Sequence, residues 1–292
     1  MHAFLAKLLD DQPVITDGAW GTQIQSLGLG AGECPDAWNL ENPAAIEKVA
    51  RSYVEAGSRI ILTNTFGSSR VMLERHGLAD KAAEINRAGA EISCKAASGK
   101  AFVFGSIGPS GKLLFTGEIG ENELSEAFEE QARALAEGGV HGIVIETMSE
   151  LDEAKVALKA ARKTGLPVVA SMVYDSGQLY DRTMMGTTPE VAATALEEAG
   201  ADVIGANCGM GIEFTVPVCE RLRKATKLPI WAKPNAGLPE IVNGNVVYNI
   251  LPAQFARQTL HLREAGANFI GGCCGTSPEF IRVLRQALRA VI

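Results

Sequence analysis

The stretch Glu198-Ala199-Gly200-Ala201-Asp202-Val203-Ile204-Gly205-Ala206-Asn207-Cys208-Gly209 decides the fold. A helix-like segment closes on a glycine able to take the left-handed conformation, and a short apolar run follows within a few residues. The same pattern stands at Glu55-Ala56-Gly57 before Ile60-Ile61-Leu62, at Glu137-Gly138-Gly139 before Ile143-Val144-Ile145, and at Glu264-Ala265-Gly266 before Phe269-Ile270. Four helix-to-strand junctions are thus written into the chain. Between them fall Val14-Ile15-Thr16, Ala101-Phe102-Val103-Phe104, Leu166-Pro167-Val168-Val169-Ala170 and Leu228-Pro229-Ile230-Trp231, each after a helical end. The spacing predicts eight strands, near positions 14, 60, 101, 143, 168, 203, 230 and 269, separated by helices such as those over 124–137 and 151–164. Strands alternating with helices pair in parallel through right-handed crossovers. Eight of them, nearly continuous in apolar character, predict a closed barrel rather than an open sheet. No linker or charge block divides residues 1–292, which read as one (β/α)8 TIM barrel.

Composition agrees with this reading and narrows the function. Of 292 residues, 47% are hydrophobic and 21% charged, ordinary for a globular chain, and the 31 glycines suit many tight connections better than a helical bundle. A net charge of −7, with only 3 Trp, 4 Tyr and 10 Phe, argues against nucleic acid as a partner. No run reaches the roughly 18 apolar residues of a membrane span. The N-terminal segment has no long apolar core and no small-residue cleavage site, and reads as a short amphipathic helix before the first strand. Six scattered cysteines are too few for a disulfide scaffold, so a reducing, cytoplasmic setting is expected.

In a parallel barrel the loops after the strand C-termini build the active site. The longer ones span 22–42, 173–189 and 236–252, the last containing the turn dipeptide Asn243-Gly244. The strand ends themselves are polar: Asp17-Gly18, Thr63-Asn64-Thr65, Ser106, Glu146-Thr147, Ser171, Asn207-Cys208-Gly209, Lys233-Pro234-Asn235 and Cys273-Cys274-Gly275. Cys208 and the Cys273-Cys274 pair end strands separated by a single neighbour, hence roughly 10 Å apart. Side chains converging from both can ligate one ion, and three thiolates with an open fourth position suit reactive Zn2+. A vicinal pair can equally form a strained disulfide or a redox switch. Cys94 and Cys219 read as small buried hydrophobes, and Cys34 sits beside Pro35 in a loop. Asp17 and Glu146 face each other across the rim, placed to hold an amino-acid ammonium or to cap the helices that follow. Asn64 and Asn235 are candidate ligand contacts or turn formers.

At this point the residues resemble a known family. DGAWGTQIQ (17–25), LTNTFGSSR (62–70), GSIGPSG (105–111), IETMSELDEAK (145–155), GANCG (205–209), KPNAG (233–237) and GGCCGTSPE (271–279) look like homocysteine S-methyltransferases, in the family's order. The likeness is nearest to the homocysteine module of cobalamin-dependent methionine synthase and to bacterial betaine–homocysteine methyltransferases. It implies a (β/α)8 barrel that methylates the zinc-bound thiolate of homocysteine to give methionine, with Cys208, Cys273 and Cys274 as zinc ligands and the reacting centre. Asp17, Gly18, Thr63 and Glu146 then match positions that grip the amino-acid end of homocysteine. Asn235 matches one near the metal that can fill its open site.

The methyl donor of such enzymes is a methylated corrinoid, betaine or a sulfonium. Trp38 resembles one position of an aromatic cage for betaine, but Gly67 and Thr147 stand where the animal enzymes carry tyrosines. GECPDAWN (32–39) and RTMMG (182–186) look like the betaine branch, and LTNTFGSSRVMLERHG (62–77) also like the cobalamin branch. With no room in this chain for folate and cobalamin modules, a methylcorrinoid protein supplied in trans is the expected donor. A non-catalytic homocysteine- or zinc-binding module is the alternative of another class.

Overall fold

A computed structural model describes residues 2–242 and 245–290. Eight parallel strands form the sheet: β1 (Val14–Ile15), β2 (Ile60–Leu62), β3 (Phe102–Ile107), β4 (Gly142–Met148), β5 (Val168–Met172), β6 (Val203–Cys208), β7 (Ile230–Pro234) and, after a hairpin of β8 (Pro239–Val242) and β9 (Asn245–Tyr248), β10 (Phe269–Ile270). Their order is β1-β10-β7-β6-β5-β4-β3-β2, so each expected strand is present and lies beside its expected neighbour. Between β1 and β2 the seam is stitched without a ladder. Arg59 N donates to Ile15 O (2.7 Å), and Leu62 N donates to the Asp17 carboxylate (2.7 Å). A nearly closed (β/α)8 barrel results.

The four glycine junctions end helices as the sequence pattern requires. Gly57, Gly139, Gly200 and Gly266 have φ of 103°, 90°, 93° and 94°, a region where a Cβ is strained. After each, the next backbone N–H turns back onto the helix, as Ala201 N does to Leu196 O (2.9 Å).

Strand alternation sorts the side chains into two layers. Val14, Leu62, Phe104, Val144, Val169, Val203, Trp231 and Phe269 come from all eight strands and pack as one buried cluster, which places them inside the barrel. Leu5 and Leu8 of the helix Ala3–Leu8 belong to the same cluster and plug its lower end. The intervening residues, among them Ile61, Val103, Ile143, Ala170, Ile204 and Ile270, pack outward against the helices. Two residues beyond the interior layer, at the same phase, come Ser106, Glu146, Ser171 and Lys233. The barrel interior therefore changes from apolar to polar at its C-terminal end.

The loop over 22–42 carries more structure than its composition suggested, including the helices Gly21–Ser26 and Trp38–Glu41. The segment 236–252 holds the hairpin rather than irregular chain, while its turn dipeptide Asn243-Gly244 lies outside the described residues. No helix of the described residues is long and apolar enough to cross a membrane.

Candidate active site

A cavity of about 530 Å3 opens on the C-terminal face of the barrel. Cys208, Cys273 and Cys274 line it together with Gly18, Thr63, Asn64, Glu146 and Lys233. The three sulfurs lie within 4.8 Å of one another, and Cys208 Sγ is 3.8 Å from Cys274 Sγ. Two sulfurs on a tetrahedral ion with bonds near 2.3 Å are about 3.8 Å apart. The spacing and softness of this donor set fit one thiophilic ion. Cys34 also borders the cavity, whereas Cys219 is buried in the helix layer.

Local backbone explains how the thiols meet. Cys208 ends β6 at φ 64°, a conformation non-glycine residues seldom take. Thr147, at the end of β4, has φ 61° and is β-branched, which makes it a sharper exception. Both flank Asn207, whose Oδ1 accepts from Thr147 N (2.8 Å) and Ser171 Oγ (2.7 Å) and whose Nδ2 donates to Thr147 Oγ1 (2.6 Å). On the other side, Asn235 Nδ2 donates to Gly209 O (2.7 Å) and its Oδ1 accepts from Cys274 N (3.0 Å). Asn235 thus ties the two cysteine loops together, with both ends of its amide engaged. Gly275 has φ 81°, and a Cβ there would stand 2.3 Å from the Tyr248 ring, so the hairpin packs directly on the thiol loop.

The thiols differ in acidity. Hydrogen bonds from Cys208 and Cys273 lower the Cys274 thiol, while the bonds of Cys208 to Cys273 and Cys274, with burial, raise Cys208.

The carboxylates cap no helix. Glu146 Oε1 accepts from Ser106 Oγ (2.5 Å), and burial pushes its acid up to about 7 against the pull of the Lys233 charge. Asp17, expected to contact substrate, is fully buried and not among the cavity-lining residues. Its Oδ2 accepts from Trp20 Nε1 (2.8 Å) and Leu62 N (2.7 Å), and its Oδ1 accepts from Lys233 Nζ (2.5 Å). Lys233 is what the cavity meets in its place. Burial works to lower the Lys233 ammonium, but Asp17 and Glu146 outweigh it and raise it.

Gly18 lies at a close approach, since a Cβ would meet Thr276 Oγ1 at 2.7 Å and Tyr53 Oη at 2.9 Å. Thr63 Oγ1 accepts from Ser106 N (3.0 Å), and Asn64 Nδ2 donates to Pro35 O (2.8 Å) and Asn39 Oδ1 (3.1 Å). Trp38 packs against the core from its short helix and does not line the cavity. The rings that do are Trp20, Phe66 and Tyr248. Sequence reasoning placed Asn207 and Lys233 at strand ends without giving them a role, and passed over Tyr248. Lys233 was findable, being a charged residue two positions after Trp231 on the same strand face.

Fold and site together define the class of (β/α)8 barrels that work with a cluster of cysteine thiols on the catalytic rim. A family model of homocysteine S-methyltransferases matches residues 14–288, and the chain belongs to that family. It is 30% identical to methionine synthase of Mycobacterium tuberculosis over 97% of its own length and 25% of that protein, and 29% identical to methionine synthase of Mycobacterium leprae with the same coverage. The chain thus spans about a quarter of the length of these relatives. The homocysteine methyltransferase MmuM from Escherichia coli shares its fold. The metallated form has a TM-score of 0.81 at 23% identity, covering 97% of this chain and 99% of that one. The oxidized form has a TM-score of 0.82 at 23% identity, covering both chains fully.

Proposed function

We propose that the chain is a zinc-dependent homocysteine S-methyltransferase that makes methionine with a methylated corrinoid protein as donor, in the reducing cytoplasm where its thiols stay free. The observation that carries the reading is the 3.8 Å sulfur spacing at the wall of a cavity whose floor is charged. Cys208, Cys273 and Cys274 would hold the ion. Bound there, zinc supplies a Lewis-acid centre that lowers the pKa of a thiol docking beside it. Three thiolates around a divalent cation leave the centre net negative, which favours a nucleophilic sulfur.

The chain's own residues bind and orient the acceptor. Glu146 receives the ammonium of homocysteine, with Ser106 fixing its carboxylate. Gly18 keeps the floor open where any side chain would collide with Thr276 and Tyr53. Thr63 and Asn64, anchored by their own hydrogen bonds, form the adjoining wall. Asn235 acts on the thiol loops rather than on substrate. In the reaction a sulfur–carbon bond forms as the carbon–donor bond breaks with its electron pair left on the donor. The thiol proton passes to solvent through the mouth.

The mouth itself supports a macromolecular donor. Phe66, Phe115, Leu179, Met184, Ile241 and Leu251 are large apolar side chains exposed on the segments that follow strand C-termini, with Phe115 and Ile241 (in β8) at 79% and 80%. Apolar surface gathered on one face marks an interaction site. A second reading, a betaine or sulfonium donor, draws on the three aromatic rings lining the cavity, since such rings attract onium cations.

A donor panel tests the proposal: methylcobalamin, a methylated corrinoid protein, betaine, dimethylpropiothetin and S-methylmethionine, each with homocysteine. Protein purified without chelators is expected to carry about one zinc per chain, and each of Cys208→Ala, Cys273→Ala and Cys274→Ala to lose activity. Absence of zinc overturns the metal centre. Homocysteine binding without transfer from any donor makes the chain a non-catalytic binding module.

A further inference from the structure

We infer that a recess behind Cys208 binds one water molecule, which Tyr174 anchors and which hydrogen-bonds the Cys208 sulfur from outside the main cavity. The site itself stands apart from the proposed function. Its effect on the metal centre rests on the zinc reading.

The recess measures about 10 Å3 and lies between the end of β6 and the helix Ile212–Ala225, with Tyr174, Cys208, Thr215 and Val218 in its wall. A volume of that size takes about one water. Among the described residues, Cys208 alone borders both this recess and the large cavity. The backbone makes the room. Cys208 and Gly209 are left-handed, with φ of 64° and 72°, and the chain runs on to Gly211 before the helix begins. A Cβ on Gly209 would stand 2.9 Å from Tyr174 O, so the turn passes Tyr174 at a distance that glycine alone allows.

Tyr174 is 5% exposed, and its hydroxyl is buried with no hydrogen-bond partner among the described residues. A buried hydroxyl is costly in that condition. Burial also raises the phenol's pKa, which keeps its proton available for donation. Thr215 Oγ1 gives its own proton to Gly211 O (2.9 Å) and receives none from the described residues, so it can still accept. A buried water makes about three hydrogen bonds. Here it accepts from Tyr174 Oη, donates one proton to Thr215 Oγ1 and donates the other to Cys208 Sγ. On a metal-bound thiolate such a bond draws electron density off the sulfur, as outer-shell partners do at metal centres. The ion then keeps more of its charge for an incoming thiol. Tyr174 acts through the water and is a positioning residue.

Two measurements on the whole chain loaded with cobalt(II), a spectroscopic stand-in for zinc, test this without acceptor or donor. A crystal structure is expected to show one ordered water in contact with Tyr174 Oη and Cys208 Sγ. Tyr174→Phe is expected to lose that water and to move the sulfur-to-cobalt charge-transfer bands to lower energy, because a thiolate without the bond gives up its electrons more readily. Val218→Ile fills the recess and leaves the hydroxyl in place, and is expected to do the same. It also keeps the inference testable should Tyr174→Phe fail to fold. A native crystal without the water overturns the inference, as does a water whose loss from either variant leaves the bands in place. Thiolate bands that respond to neither variant leave the zinc reading standing and this inference overturned. If the chain takes up neither cobalt(II) nor zinc, the zinc reading falls, and density in the metal-free crystal upholds or overturns the water site.

Discussion

Asn207 illustrates how a single amide can hold a reactive thiol in place. Its three hydrogen bonds fix Thr147 at φ 61° and Ser171, and it immediately precedes Cys208 at φ 64°. Asn207→Ala frees both left-handed positions and is expected to weaken metal binding by about 10- to 100-fold, measured by competition with a chromophoric chelator. Unchanged affinity would show that Asn235 and the glycine turns hold the loops unaided. Glu146 gives a pH-dependent prediction. Burial raises its acid from 4.5 to about 7, so the folded chain keeps a proton that the unfolded chain releases between those values. Stability is therefore lost as pH rises through that window, by ~3 kcal/mol in all, with no further change above it. Glu146→Gln is expected to be more stable than the native metal-free protein at pH 8 and equal to it near pH 4.5, by denaturant unfolding. A difference independent of pH would remove burial of this carboxylate as the cause.

At the level of elements, the strands were readable because burial on both faces leaves an unbroken apolar run, and each glycine after a helix marks where the next begins. The cysteine cluster was readable for the same reason, since barrel order converts a long sequence separation into a neighbourly one. The hairpin β8–β9 was passed over although Asn243-Gly244 stands between Ile241-Val242 and Val246-Val247, a pattern that favours hairpins. Its four-residue strands lean on the thiol loop through Tyr248 rather than on the barrel sheet, so no barrel periodicity announces them. Spacing gives Asp17 its place on the rim but not the three groups that its carboxylate already holds, Trp20 Nε1, Leu62 N and Lys233 Nζ. Glu150 and Glu153 show the same limit. They begin the helix after β4, yet their carboxylates accept from Leu114, Phe115 and Ser110 N–H groups and clamp the loop after β3. The helix Ala3–Leu8 closes the opposite end of the barrel, remote from all of this. Leu5→Ala there is expected to cost about 2–5 kcal/mol in denaturant unfolding and to leave methionine affinity unchanged. A drop in affinity would mean that the plug sets the height of the cavity floor.

Across the whole molecule, polarity is divided along the barrel axis. The lower end is sealed by leucines, the floor of the upper end is charged, and the segments after β2, β3, β5 and β7 carry the exposed apolar side chains Phe66, Phe115, Leu179 and Ile241. A small donor needs only the cavity, whereas a protein-borne methyl group needs a surface on which the carrier can seat while its reactive carbon reaches the thiols. Phe115, Leu179 and Ile241 are exposed on these segments without lining the cavity, which lets the two demands be separated. Replacing all three by serine is expected to lower kcat/KM with a methylated corrinoid protein by about tenfold or more, since buried apolar anchors dominate protein association. The rate with free methylcobalamin, which requires no docking, should stay within about twofold. Equal loss with both donors would make these segments an entrance for any donor instead of a seat for a carrier. No loss with either would leave the exposed apolar rim without a part in methyl delivery, and the aromatic-lined cavity with an onium donor would then be the stronger account.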